Sequence, residues 1–443
     1  MTFPSGPTSR FPGDLLLRFH RDTLGFLGAC AATYGDVFGF RIGRQPFVCV
    51  NHPDLIRDLL VTHQKNFRKG RALERARRLL GNGLLTSEGD FHLRQRRLAQ
   101  PAFHRQRIAG YATAMVDCSV RVRDRWNDGE MLDVHQEMMG LTLAIVGRTL
   151  FDADVQHEAA DIGRALASAH DAFNLAVLPF AELLEKLPRP STRRVTGARA
   201  RLDETIYRII RERRASGEDR GDLLSMLLLA TDVEGDGGGM SDELLRDEAM
   251  TLFLAGHETT AKALTWTWCL LAQNPDARQL MQQEVDALGH TPSFDDLPRL
   301  EYTRRVLAES MRLYPPAYAV GRRAIDAYEI GQYTLPPRTI VLASQFLQHR
   351  DARWFPNPER FDPDRWTADE TAQRPKFSYF PFGAGTRICI GEQFAWTEGV
   401  LVLATLAQKW VLGLAPGQRI GIQPRITLRP RYGMRMVASL RRS

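Results

Sequence analysis

The chain has 443 residues, 44% hydrophobic and 25% charged, the proportions of a globular protein able to bury a large core. Its formal charge of +7 comes from basic and acidic residues interleaved along the chain, with no basic block carrying aromatics, which argues against a nucleic-acid partner. Cys30, Cys49, Cys118, Cys269 and Cys389 form no CxxC pair, which argues against a disulfide scaffold or zinc knuckle; dispersed free thiols suit a reducing cytosol, so a cytoplasmic protein is expected.

Residues 1–30 read as a Pro-rich lead-in and a first helix. Between Asp14 and Ala32 the apolar Leu15, Leu16, Leu17 and Phe19 are interrupted by Arg18, His20, Arg21 and Asp22, so neither a spanning helix nor a secretory signal is expected. Strand signals follow in "DVFGFRIG" and "FVCVN". Helical composition covers Leu93 to Trp126, Val134 to Leu150 and Arg193 to Arg214, and "EGDGGG", Glu234 to Gly239, reads as a mobile loop too short to separate domains. From Ser241 to Gln273 the pattern predicts one long helix: Ser241 caps it, Asp242 and Glu243 suit its positive end, and Asn274-Pro275 stops it. At 1.5 Å per residue it spans roughly 50 Å. Gly256, Thr259 and Thr260 at its centre predict a local distortion. Further helices are expected at Ala277 to Ala287, Thr303 to Tyr314 and Gly391 to Trp410, and strands in "YEIGQYTLP" and "TIVLAS". The fold class is therefore mainly α with a minor β-sheet region, and without a linker or repeat a single domain over 1–443 is expected.

The stretch "FPFGAGTRICIG" sets Cys389 among glycines behind an aromatic pair. A thiolate ligand needs its charge stabilised, and a glycine-rich turn lets backbone N–H groups approach sulfur because no Cβ blocks them. Ile388 and Ile390 would shield it, and a helix beginning near Gly391 would present its positive end. For an isolated cysteine, burial in a turn is the ordinary reading. Here Phe382, Gly385, Arg387, Cys389 and Gly391 form F-x-x-G-x-R-x-C-x-G, which resembles the haem-binding signature of the cytochrome P450 superfamily. The resemblance implies a P450 fold, a haem b (iron protoporphyrin IX) cofactor, a haem-thiolate loop at 382–391 and Cys389 as the metal ligand.

Three further stretches extend the resemblance. Glu309 and Arg312 in "LAESMRLYPP" share a helical face, a pair worth a few tenths of a kcal/mol if exposed. With "NPERF" downstream they resemble the family's E-x-x-R motif, which implies a scaffolding network of Glu309, Arg312 and Arg360 beneath the haem loop. In "AGHETT", His257-Glu258 lacks the second histidine of a zinc hydrolase because position 261 is Ala261. A solvated helical turn is the bland alternative. Ala255, Gly256, Glu258 and Thr259 match the family's A-G-x-[D/E]-T pattern, which implies Thr259 as the catalytic proton relay with Glu258 behind it. In "DFHLRQRRLAQPAF", His92 and Arg96 lie four apart on one helical face and could reach the same anion. Arginine-rich helices are usually just solvated; the resemblance implies that His92, Arg96, Arg387 and Arg322 of "VGRRA", with Arg323 as the alternative, meet the haem propionates.

The resemblance thus implies a monooxygenase that inserts one atom of O2 into a C–H or double bond of an apolar small molecule such as a fatty acid, terpenoid, steroid or polyketide. No glycine-rich dinucleotide fingerprint is present, so NAD(P)H electrons are expected through a separate ferredoxin, or a flavodoxin, and its reductase, with Arg94, Arg97 and Arg105 as candidates to steer the acidic donor. A hydrogen-peroxide-driven peroxygenase and a noncatalytic haem ligand-binding protein are the alternatives; the intact acid–threonine pair speaks against both. By analogy the pocket is lined by Leu252, Ala255, Gly256, Ala317 and Val320 and by the segments Leu79 to Leu85 and Phe173 to Phe180, positions equally consistent with core packing. Arg41 or Arg44 could anchor a substrate carboxylate. A monomer is expected.

Overall fold

Ser241 opens the helix that organises much of the chain: its Oγ accepts from Leu244 N at 3.2 Å, and the helix then runs unbroken for 32 residues, Asp242–Gln273. Pro275 starts the next helix, Pro275–Asp286, where a missing N–H costs nothing. At "AGHETT" the expected distortion does not interrupt the helix. Thr259 Oγ1 donates to Ala255 O at 2.8 Å and Thr260 Oγ1 to Gly256 O at 3.3 Å, so both hydroxyls are satisfied along the helix's own length. Gly256 serves packing instead: a Cβ there would lie 3.1 Å from Val146 Cγ2, and the neighbouring Thr142 Oγ1 donates to His257 O at 2.9 Å. Close approach of the helix Val134–Phe151 offsets the roughly 1 kcal/mol that a mid-helix glycine costs.

The computed structural model describes residues 3–151, 190–232, 235 and 237–441. The chain divides into two compact units, one comprising Met1–Arg71, Ala308–Cys389 and Thr427–Arg429, the other Ala72–Leu307, Ile390–Ile426 and Pro430–Ser443. The second unit holds the long helix together with Gly89–Ala99, Arg105–Arg125, Val134–Phe151, Pro190–Ser216, Leu223–Leu229 and Glu392–Ala407. Its core includes Leu98, Ile210, Leu224, Leu245 and Phe253. The single helix expected over Leu93 to Trp126 is two, because Pro101 cannot continue an α-helix and the chain turns through the 3-10 segment Gln100–Phe103. The helix expected to reach Trp410 stops at Ala407, and Trp410–Leu414 instead joins an antiparallel sheet with Arg435–Leu440 and Met131–Asp133.

The first unit carries a five-stranded sheet in the order Val37–Ile42, Gln45–Val50, Ile340–Ala343, Val320–Ala324, Phe67–Lys69. Only the pair Gln45–Val50 and Ile340–Ala343 is parallel, with Val48 opposite Val341. "YEIGQYTLP" forms a hairpin of Tyr328–Ile330 and Tyr333–Leu335. Val48, Ile56, Leu60, Phe67, Tyr328, Val341 and Phe380 make its core. Among the described residues no helix is long and apolar enough to cross a membrane.

Candidate active site

Cys389 is exposed, whereas Cys30, Cys49, Cys118 and Cys269 are buried. Burial pushes the Cys49 and Cys269 thiols up to about 12, which keeps them protonated and inert. The loop around Cys389 is tightly determined. Cys389 N donates to Phe382 O at 2.9 Å, Ile388 N to Gly385 O at 3.1 Å, and Gly383 and Gly385 take φ of 73° and 71°. A Cβ at Gly385 would fall 2.0 Å from Leu60 O and 2.7 Å from Gln64 Oε1, so no other residue fits. Gln64 Oε1 also accepts from Thr386 N and Thr386 Oγ1, each at 2.8 Å, which pins the loop to the Leu60–Gln64 stretch.

Behind the loop lies a buried ion pair. Glu309 and Arg312 are both 0% exposed, and Arg312 grips the carboxylate with two parallel bonds of 2.8 Å, Nε to Oε2 and Nη2 to Oε1. Arg312 Nη1 donates to His349 O at 2.9 Å and to Pro358 O at 2.7 Å, while Asp362 N and Trp366 Nε1 each donate to Glu309 at 3.0 Å. The expectation for Arg360 is corrected: it enters through its main-chain carbonyl, which accepts from Arg312 Nη2 at 3.1 Å. The buried Phe361 beside it leaves the Arg360 side chain on the exposed side, and the second cation at Glu309 is Arg365, with Nε 3.5 Å from Oε1. His349 carries the network onward, its Nε2 accepting from Phe380 N at 3.0 Å. Burial, reinforced by Arg312 and Arg350, holds its pKa well below the usual value, so the ring is neutral and free to accept. The sequence reading missed His349, Arg365 and Trp366; nothing local distinguishes them.

Cations gather on the strand Phe67–Lys69 of the same unit. Arg387 Nη2 donates to Phe67 O at 3.5 Å, and register sets Lys69 opposite Arg322 and Arg68 opposite Arg323. Alternation along a strand therefore groups Arg322 with Lys69, which is 5% exposed and which the sequence reading also missed. In the other unit His92 is buried, with Nδ1 3.3 Å from Ser87 Oγ, and Arg96 lies half-buried one turn on. An exposed thiol in a glycine cradle, with Lys69, Arg322 and Arg387 in the same unit, is a donor set suited to a metal macrocycle bearing carboxylates.

On the long helix Thr259 is half-buried and Ala255 exposed. Glu258 pairs with the Nζ of Lys262, one turn on and 2% exposed, a partner not foreseen from sequence although the i,i+4 spacing signals it. Leu252 is buried in the hydrophobic cluster and the Cβ direction of Gly256 aims at Val146, the core packing with which these two positions are also consistent. Ala317 and Val320 are half-buried in the first unit. Phe173 to Phe180 lies outside the described residues. Of the expected docking cations, Arg97 binds Asp232 through Nε and Nη2 at 2.9 and 2.8 Å, and Arg94 donates to the carbonyls of Gly238 and Gly239 at 3.2 Å, so both fasten the glycine-rich loop. Arg105 is exposed and lies 5.8 Å from the centroid of the Phe294 ring. Arg41 and Arg44 are exposed.

The family model "Cytochrome P450" matches residues 4–432. Cyclooctatin synthase of Streptomyces melanosporofaciens is 42% identical over 94% of this chain and 92% of its own length. The cyclooctat-9-en-7-ol 5-monooxygenase of the same organism is 39% identical over 93% and 90%, and the pentalenene oxygenase of Streptomyces avermitilis 35% identical over 93% and 89%. Among solved structures, the haem domain of cytochrome P450DA superposes with a TM-score of 0.88 at 28% identity, covering 99% of this chain and 98% of that one.

Proposed function

The chain belongs to the cytochrome P450 family, and from that membership we propose that Cys389 ligates a haem b at which this monooxygenase oxidises a cyclic terpenoid. Its monooxygenase class and apolar substrate follow from the family and its relatives; the terpenoid is favoured because relatives at 39% and 35% identity are named for cyclooctat-9-en-7-ol and pentalenene. The observation that carries the assignment of the ligand is the exposed Cys389 in a loop that only Gly385 permits.

When bound, the haem supplies one-electron reduction and oxygen activation, with electron donation from the thiolate. The protein's residues do the rest. Cys389 would hold the iron, and Lys69, Arg322 and Arg387 of one unit, with His92 and Arg96 of the other, would offer the propionates charge and N–H donors. Ala255, with only a methyl group, leaves room for a substrate beside the helix. The Thr259 hydroxyl, freed from its bond to Ala255 O, would hand on a proton for the oxygen chemistry the haem supplies, and Glu258, once released from Lys262, would resupply it. Apolar walls including Val320 keep bulk water out and hold one C–H bond near the oxidant. Electrons arrive from NAD(P)H through a ferredoxin and its reductase, and the reducing cytoplasm suits the buried free thiols.

The deciding measurement is the absorption spectrum of the reduced protein with carbon monoxide. A strongly red-shifted Soret band, lost in Cys389→Ser, is expected; a band of histidine-ligated type would refute the assignment. Titration with pentalenene and with cyclooctat-9-en-7-ol should shift the ferric Soret band, and silence with both would remove the terpenoid proposal. In Thr259→Ala, NADH consumption should continue while product falls by about 10²-fold or more, the usual range for a lost proton-transfer group.

A further inference from the structure

The turn Gly81–Ser87 is built around one glycine in the left-handed region and one hydroxyl. Gly81 takes φ of 73°, Thr86 Oγ1 donates back to Gly81 O at 2.7 Å, and Ser87 N donates to Gly83 O at 2.9 Å. Two consecutive carboxylates of the long helix hold this turn by its backbone. Asp247 Oδ2 accepts from Asn82 N at 2.6 Å, and Glu248 Oε2 accepts from Leu84 N at 3.0 Å. The fit leaves no slack: a Cβ at Gly81 would lie 1.9 Å from Asp247 Oδ1, and one at Gly83 would lie 2.5 Å from Thr251 Oγ1. Glu248 is 0% exposed and Asp247 7%, so both sit where a charge is costly unless it has work to do. Asp247 is itself oriented: its Oδ1 accepts from Arg246 Nη1 at 2.8 Å, and Arg246 Nε donates to Asp203 Oδ1 at 2.7 Å on the helix Pro190–Ser216. At the turn's far end Ser87 Oγ meets His92 Nδ1 at 3.3 Å.

We propose that Asp247 and Glu248 are positioning residues for specificity: they clamp Gly81–Ser87 as a fixed wall of the substrate site and, through Ser87, hold His92 in place. The proposal rests on the haem-thiolate reading. Adjacent residues on a helix diverge by roughly 100°. Two successive carboxylates can therefore grip two N–H groups that lie two residues apart on a crossing chain, which a single side chain could not do. Acceptors that are charged and buried hold an N–H more firmly than neutral ones, so the wall is held in one position and does not adapt to each ligand.

The test uses the haem-loaded protein and two iron-binding probes of different reach, imidazole and clotrimazole, titrated spectroscopically. In Glu248→Leu, clotrimazole affinity should change by about tenfold or more, the loss expected for one charge-assisted bond, while imidazole affinity changes less than about twofold. Glu248→Gln, whose neutral amide oxygen still accepts from Leu84 N, should recover part of the wild-type ratio and fall between the unaltered protein and Glu248→Leu. Thr86→Val opens the same turn without touching the helix and should reproduce the split if the Leu variant does not fold. Amide hydrogen exchange across 81–87 should accelerate in the variants that show the split and remain unchanged across Glu392–Ala407. Equal changes with both azoles, or unchanged ratios despite faster exchange, would overturn the proposal. Failure of the haem reading itself shows separately, as absence of the thiolate–carbon monoxide band in the unaltered protein.

Discussion

Glu398 is wholly buried on the helix Glu392–Ala407, and burial raises its carboxyl to about 8, opposed in part by the Thr260 hydroxyl. The folded protein therefore keeps a proton that the unfolded chain, titrating near 4.5, gives up earlier. With the folded pKa above the unfolded one, this group's stability is fully present below pH 4.5 and is lost as pH rises through about 8. Glu398→Gln stays neutral throughout, so its urea midpoint should fall less than that of the unaltered protein between pH 5 and pH 9; parallel declines would refute the assignment. The Glu309–Arg312 pair behaves differently because the two partners form an ion pair and Arg312 donates to Glu309, His349 O, Pro358 O and Arg360 O. Glu309→Ala strands a fully buried guanidinium and should cost about 3–5 kcal/mol in urea denaturation, as breaking other buried ion pairs does. Loss of haem from the folded fraction should accompany it, because His349 links that pair to Phe380 at the start of the Cys389 loop.

At the scale of elements, the loop 382–391 was legible because its chemistry lies in contiguous residues: a thiol, the glycines it needs and an arginine at fixed spacing. Gly385→Ala tests how literally that holds. The left-handed backbone alone costs a side-chain-bearing residue about 1–2 kcal/mol, and the new methyl would meet a main-chain oxygen that cannot move aside. The red-shifted carbon monoxide band per mole of folded protein should fall sharply, while Gly413→Ala, with open space around its Cβ, should leave it intact. The long helix was legible end to end from its cap and its Asn274-Pro275 stop, but the reason for Gly256 was not, since Val146 lies on another helix. Lys69 and Arg365 escaped notice for the same reason: register in a sheet and a turn far along the chain bring them to their partners. Arg360 misled because a basic residue at a motif position invites a side-chain role, whereas the fold uses its carbonyl. Spacing reveals which residues share a face; it does not reveal what another segment lays against that face.

For the molecule as a whole, a formal charge of +7 would attract an acidic donor of the kind proposed, and the three cations expected to steer it differ in how well each can test that attraction. Arg97 is poorly suited as a probe: its two bonds to Asp232 mean that reversal to Glu sets two carboxylates together and releases the loop that Arg94 also fastens. A slower reduction in Arg97→Glu would therefore mix lost steering with local unfolding. Arg105 is the cleaner choice, being exposed at the start of Arg105–Arg125 and, among the described residues, making a ring contact to Phe294 but no ion pair. If a ferredoxin approaches this basic face, Arg105→Glu should slow its second-order reduction of the haem several-fold at low salt and flatten the dependence on ionic strength. At about 1 M salt, where screening shortens the range of charge to about 3 Å, the variant and the unaltered protein should converge. Dithionite, which needs no docking, should reduce both at one rate. A deficit that persists at high salt would place the effect in the protein's structure and not in the encounter, and identical salt profiles would move the docking face elsewhere on the molecule.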